Sequence, residues 1–371
     1  MASVLFSPFT MRGLTLANRI VVSPMCQYAS EDGSATDWHI QHLGSFSLGA
    51  AALVMTEMTM VSRIGRISYK CAGLYSDENE KALKRVIDFC KSVGVAKQGI
   101  QIGHAGRKAS TTPPGQGARP LTADEGAWET LGPSPIPFGA GWPVPREMTK
   151  ADMKQVTDEF VSAVQRADRI GYDLVELHGG HGYLLSEFIS PLANQRKDDY
   201  GGSLENRMRY PLEVFAACRA VWPKDKPMGI RVSAVDWVDG GTTIEDTIAY
   251  AKELKKLGCD YVDVSSGQVD LRQTIPFAPG YNAPFAETVR HKAQIPTMTV
   301  GLITGARQAE EIVASGKADM IAIGRGAMYD PRWAWHAAEE LGVETDYPPR
   351  CRAAHPSLRP QVFPNRAAKQ A

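Results

Sequence analysis

Eight short runs of β-branched and aliphatic residues, each followed by a helical pattern, constrain this chain more than any other feature. The runs lie at 19–23, 52–59, 97–103, 173–178, 228–233, 260–265, 297–301 and 320–324. Helical patterns follow near 38–51, 79–93, 150–169, 203–221, 243–257, 283–292, 304–315 and 331–341. Such an alternation calls for a parallel sheet covered on both faces. Ser203, Thr243 and Thr304 offer capping or turn chemistry where three of the helices open. An open doubly wound sheet would stop at about five or six strands and show a glycine fingerprint after the first. Here the first strand runs into Pro24-Met25-Cys26. The expected fold is therefore α/β, a (β/α)8 TIM barrel.

A chain of 371 residues would ordinarily suggest more than one domain, but barrels with insertions reach this length as a single unit. We expect one barrel domain over 1–345. The third unit is abnormal: His104 to Thr149 separates its strand from its helix and holds eight of the 24 prolines. A Pro/Gly-rich stretch of that length after strand three reads as a capping insertion or lid on the rim where barrel active sites form, the bland alternative being passive decoration. The tail over 346–371 is expected to contact a neighbouring subunit or to be partly disordered.

Composition removes several function classes. With 43% hydrophobic residues, 22% charged residues and a formal net charge of zero, the chain is neither a disordered segment nor an obvious partner of nucleic acid. Its start lacks the charged-then-apolar pattern of a signal peptide, and no run reaches transmembrane length, so no membrane partner is expected. Cys26, Cys71, Cys90, Cys218, Cys259 and Cys351 are scattered without close pairs. That spacing argues against a zinc or iron–sulfur site, predicts no metal, and fits a reducing cytoplasm.

The chemistry concentrates in His178-Gly-Gly-His181-Gly-Tyr183, directly after the strand that ends in Val175-Glu-Leu177. If the turn tightens into one helical revolution, the two imidazoles share a side with the Tyr183 phenol close behind. Either histidine alone reads more readily as a satisfied loop residue; with Tyr183 they make two neutral donors beside a proton source, and the functional reading prevails. Barrels often hold phosphate with the loops after strands seven and eight. Those loops are Gly301-Leu-Ile-Thr304 and Gly324-Arg325-Gly326, whose glycines permit close approach by backbone amides while Arg325 offers a planar fork. Arg231 in strand five reads from pattern alone as readily as a structural ion pair inside the barrel as a functional group.

Taken together, Pro24-Met-Cys26-Gln-Tyr28, Ile100-Gln101-Ile-Gly-His104-Ala-Gly-Arg107-Lys, the motif from His178 to Tyr183, Asp199-Tyr-Gly-Gly-Ser-Leu-Glu-Asn-Arg207 and Gly324-Arg325 resemble the Old Yellow Enzyme family of flavin-dependent ene-reductases, over Leu5 to about Gly342. Cys26 and Tyr28 make the chain similar to the bacterial thermophilic-like class that includes the xenobiotic reductases. The resemblance implies tightly bound, non-covalent FMN, NADPH or NADH as reductant, and reduction of small-molecule alkenes activated by a carbonyl, nitro or similar group. It implies that Ser23, Pro24, Met25 and Cys26 run along the isoalloxazine, that Gln101 bonds its pyrimidine part, and that Arg231 sits near N1. Gly301, Gly324 and Arg325 would take the phosphate. His178 and His181 would bind the substrate's acceptor oxygen, Tyr183 would protonate the α-carbon, and Tyr28 would add a hydroxyl to the pocket.

Met58 follows Glu57 where the family often has a small residue, which would leave a backbone contact to the flavin. In this class an aromatic–arginine element near the C-terminus reaches a neighbouring pocket in a homodimer or homotetramer; the corresponding residues here are Tyr347, Arg350 and Arg352. A non-catalytic FMN-binding sensor or scaffold barrel is the alternative, and it would leave the His, His and Tyr trio without purpose. Related dienoyl-thioester reductases should carry clustered cysteines, and RNA uridine reductases a basic face. Neither feature occurs in this sequence.

Overall fold

The computed structural model describes residues 2–355. An antiparallel hairpin, β1 (Phe9–Met11) and β2 (Leu14–Leu16), precedes the barrel strands β3 (Ile20–Val22), β4 (Leu53–Met60) and β5 (Lys97–Gly103). A small pair, β6 (Leu131–Gly132) and β7 (Arg146–Glu147), lies inside the insertion. The strands β8 (Leu174–Gly179), β9 (Met228–Ser233), β10 (Tyr261–Ser265), β11 (Thr297–Val300) and β12 (Met320–Ile323) complete the barrel. It is closed and parallel, in the order β3-β4-β5-β8-β9-β10-β11-β12 with β12 paired back to β3. This is the (β/α)8 barrel expected from the eight repeats.

The helices in chain order are α1 (Asp37–Ser47), α2 (Asp77–Val93), α3 (Lys150–Ile170), α4 (Leu184–Ile189), α5 (Leu204–Val221), α6 (Ile244–Lys256), α7 (Ala283–Val289), α8 (Ala306–Ala314), α9 (Arg325–Tyr329) and α10 (Trp333–Glu340). Thr149, Ser203 and Thr243 cap α3, α5 and α6 by accepting from the amides of Asp152, Asn206 and Asp246. Thr304 does not cap α8 as expected. Gly305 takes that position, and the Thr304 amide instead donates to Gln308 Oε1 at 3.1 Å. None of the described helices is long and apolar enough to cross a membrane.

Two apolar layers stabilise the fold. Outward-facing strand residues such as Val54, Ile100, Val175 and Ile230 pack under the helices. A separate cluster fills the lower barrel, where Met11, Leu14 and Leu16 of the hairpin meet Val21, Leu53, Met55, Leu174, Met298 and Met320. The hairpin therefore plugs the end where the strands begin.

Above that plug the interior turns polar in register. Gln101 of β5 pairs with Glu176 of β8, which pairs with Gly229 of β9, itself opposite Tyr261 of β10. One step higher, His178, Arg231 and Asp263 lie side by side. Since alternate residues of a strand share a face, these two layers occupy the mouth of the barrel by construction.

Candidate active site

The strands' C-terminal ends surround a cavity of about 420 Å³, within the usual range for small-molecule sites. Ser23, Pro24, Met25, Cys26, Tyr28, Met58, Gln101, His178, His181, Tyr183, Arg231, Gly324 and Arg325 all line it. Residues far apart in sequence thus meet where the motifs anticipated. Gly301 is the exception: the wall carries its neighbour Val300, joined by Met328, and neither of these was singled out from sequence. A side chain at Gly301 would meet the Tyr281 ring at 2.7 Å, so close packing by itself accounts for glycine there.

His178 and His181 do converge, but not through a helical turn. His178 is the penultimate residue of β8, while His181 holds a left-handed backbone at φ 57°. Gly182 follows at φ 68°, and an added Cβ there would stand 2.3 Å from the Gln268 carbonyl oxygen. The strained stretch is held on both sides. The His181 amide donates to Ser233 Oγ at 2.8 Å, and its carbonyl accepts from Lys108 Nζ at 2.8 Å. As a result the two imidazoles lie edge to face with centroids 5.0 Å apart, and the Tyr183 ring lies 5.0 Å from that of His178.

Protonation states follow from the surroundings. Burial, then the nearby Arg231 charge, pushes both histidines well below their ordinary range, so each carries one ring proton. His178 Nδ1 accepts from the Gly180 amide at 3.2 Å, which leaves Nε2–H as its donor. His181 Nε2 lies 2.8 Å from Ser265 Oγ. Burial first, then neighbouring Cys26 and Cys71, holds the Tyr183 phenol well above its usual value, so it keeps its proton. The Cys26 thiol is likewise raised, by burial and then by Glu57.

Lys108 was not singled out from sequence. Its Nζ sits 5.0 Å over the Tyr183 ring and 4.5 Å over Phe138, and burial pushes its pKa down to about 7. It also donates to the Gln268 carbonyl at 3.0 Å. Next to it, Arg107 binds the carbonyls of Ile136 and Val269. These two side chains strap the 104–149 insertion to the rim. At the chain's far end Tyr347 stacks on Trp335 of the same chain at 4.1 Å, and Arg350 and Arg352 are exposed. Residues 356–371 of the expected tail lie outside the described residues.

The floor of the cavity is built for a polar edge. Gln101 Nε2 donates to Glu176 Oε1 at 2.8 Å, and Arg231 Nη1 donates to Ser23 Oγ at 3.2 Å. Arg231 Nε lies 3.3 Å from Asp263 Oδ2, a charge contact without hydrogen-bond alignment, since neither atom has a hydrogen-bond partner. The ion-pair reading of Arg231 is thus met by Asp263, while its side chain also lines the cavity. Pro24, Met25, Met58 and Val300 give apolar walls, and at the rim Gly324, where an added Cβ would stand 3.6 Å from Met25 Sδ, lies beside the exposed Arg325. A long planar group with one polar edge and an anionic end fits this donor set, as FMN does.

Comparison with known proteins points the same way. The family model described as NADH:flavin oxidoreductase / NADH oxidase family matches residues 4–344. The chain is 44% identical over 345 residues to an NADPH dehydrogenase of Geobacillus sp. (strain WCH70), covering 92% of this chain and 96% of that one. Among solved structures, morphinone reductase superposes with a TM-score of 0.77 at 23% identity, covering 94% of this chain and 92% of that one. A 2-naphthoyl-CoA reductase complex superposes with a TM-score of 0.81 at 24% identity over 91% of this chain. This chain spans about half of that longer protein, 52%.

Proposed function

The chain belongs to the NADH:flavin oxidoreductase / NADH oxidase family, the Old Yellow Enzyme family that its motifs resemble, and from that premise we propose that it is an ene-reductase acting on small alkenes conjugated to a carbonyl, nitro or similar group. It is an FMN-dependent oxidoreductase that takes its electrons from NADPH or NADH. The observation that carries the ene-reductase reading is the convergence of His178, His181 and Tyr183 on the cavity whose floor holds Gln101 and Arg231.

When bound, FMN would supply the hydride chemistry that links the nicotinamide to the β-carbon of the alkene. Gln101 and Arg231 would hold its polar edge, the guanidinium favouring negative charge there. Ser23, Pro24, Met25, Cys26 and Met58 would line the ring, and Gly324 with Arg325 would meet the phosphate. His178, through Nε2–H, and His181 donate to the substrate's acceptor oxygen and stabilise the negative charge that develops on it. Neutral imidazoles suit that task, since a pair of charged rings would repel each other. Tyr183 gives its phenolic proton to the α-carbon from the face opposite the hydride, so the two hydrogens add trans. Water restores the Tyr183 proton after each turnover. Tyr28 contributes a hydroxyl and ring surface to the same pocket.

We place the enzyme in the cytoplasm as a homodimer or homotetramer, with an activated alkene as its small-molecule partner. The direct test is anaerobic reduction of the yellow protein by NADPH followed by addition of 2-cyclohexenone. The flavin should bleach and then recolour. Bleaching without recolouring would leave an NADPH-oxidising flavoprotein and end the alkene reading. A protein that binds no FMN on reconstitution would end the whole scheme.

A further inference from the structure

The buried layer beneath the cavity floor contains a carboxyl group that the reaction does not use. Glu176 is fully buried in the barrel axis, between β5 and β9. Its Oε1 accepts from Gln101 Nε2 at 2.8 Å, and its Oε2 accepts from the Tyr261 hydroxyl at 2.9 Å. The Tyr261 ring reaches it by crossing Gly229, where an added Cβ would stand 2.3 Å from the ring. Burying a carboxyl at this depth is costly unless its oxygens are bonded. Burial, then neighbouring Asp263, drives its pKa up, while Arg231 and the two donors oppose that rise.

A terminal carboxamide has two faces that differ only in which atom donates. Gln101 lies on the cavity wall, so the orientation of its amide decides whether a ligand edge meets an acceptor or a donor at that point. Among the described residues that amide donates to Glu176 Oε1. We propose that Glu176 is a positioning residue of the cofactor site: by accepting from Gln101 Nε2 it locks the Gln101 carboxamide in one orientation and so presets the hydrogen-bond pattern that the edge of the flavin meets.

This inference rests on the FMN reading above and deepens it. Charged or neutral, the carboxyl keeps an oxygen that accepts from Gln101. A glutamine at 176 can do the same, whereas a methionine keeps the length and volume but offers no comparable acceptor. Tyr261 bonds the other oxygen and does not line the cavity.

The test is FMN titration of the flavin-stripped full chain, followed by fluorescence quenching and by the visible spectrum of the bound flavin. Glu176→Met should weaken FMN binding tenfold or more and shift the visible bands. Glu176→Gln should stay within about threefold of the unaltered protein, as should Tyr261→Phe. In a Gln101→Met background, Glu176→Met should cost no further affinity, because the amide it orients is gone. Binding by Glu176→Met within threefold of the unaltered protein would overturn the proposal. So would a tenfold loss in Tyr261→Phe, a separate variant that does not depend on the folding of the first, or an equal loss from Glu176→Met with and without Gln101. Failure of the unaltered chain to bind FMN would instead refute the cofactor reading itself, which keeps the two outcomes apart.

Discussion

The exits from β5 and β8 lie side by side on the rim and solve opposite problems. After β8 the chain delivers two imidazoles and a phenol within six residues, using a left-handed His181 and a crowded Gly182. After β5 it wanders from His104 to Thr149, with three single-turn 3-10 segments and one short strand pair. Precision comes from the short exit because its ends are tied to the sheet and α4. The long exit is held by side chains from several loops: Arg107 and Lys108 grip carbonyls of the insertion, of the β8 exit and of the loop after β10, Trp128 Nε1 donates to the Ile64 carbonyl, and Arg196 donates to the carbonyls of Pro133 and Met148. The short exit is thus fixed by its own backbone and the sheet beside it, and the long one by side chains reaching across the rim.

That contrast can be broken most sharply at Tyr183. Tyr183→Phe should cut reoxidation of the reduced enzyme by an enone about 10²- to 10⁴-fold, the usual worth of a positioned general acid. Reduction by NADPH should be unaltered, and stopped-flow absorbance separates the two phases. An equal loss in both phases would show that the phenol shapes the pocket and does not deliver the proton.

His181→Asn, one donor displaced from the same exit, should lower the enone phase by about 10²-fold, in line with removal of one such donor. Binding of a phenol or enone, followed by spectral titration of the oxidised enzyme, should weaken in parallel.

The root of the long exit should respond to acid through His104, whose buried ring titrates near 4, well below its ordinary range. The unfolded chain takes up that proton first as pH falls. The stability supplied by the neutral ring is therefore complete above about 6.5 and lost on the way to about 4. Compared with His104→Gln, the natural protein should lose up to about 3 kcal/mol over that window in denaturant midpoints.

Glycines distinguish root from tip with the smallest effects. Gly106 has φ 59°, and an added Cβ would stand 2.2 Å from Glu187 Oε1, whereas Gly117 has φ 96° with open space around it. Gly106→Ala should cost about 2–3 kcal/mol and Gly117→Ala about 1 kcal/mol, measured by thermal unfolding. Equal losses would mean that the insertion is as tightly built at its tip as at its root.

Much of this was legible in the sequence because it repeats or clusters. Eight buried strands announce themselves by composition, and the barrel closes as that count requires. The motif from His178 to Tyr183 is local, so its residues were found together, yet the helical turn imagined between the histidines was wrong. Tertiary grips from Ser233 and Lys108 favour a left-handed residue that no local rule anticipates. The same applies to Lys108, Glu176 and Met328, whose surroundings come from distant strands and loops. The hairpin of β1 and β2 carries no unusual signal; only closure of the barrel gives its Met11, Leu14 and Leu16 somewhere to go.

That hairpin also governs traffic. With one end of the tube stoppered by side chains, the reductant and the proposed alkene would reach the same floor through the described mouth. On that proposal they take turns, so an excess of either should slow the enzyme by occupying the doorway while the other waits.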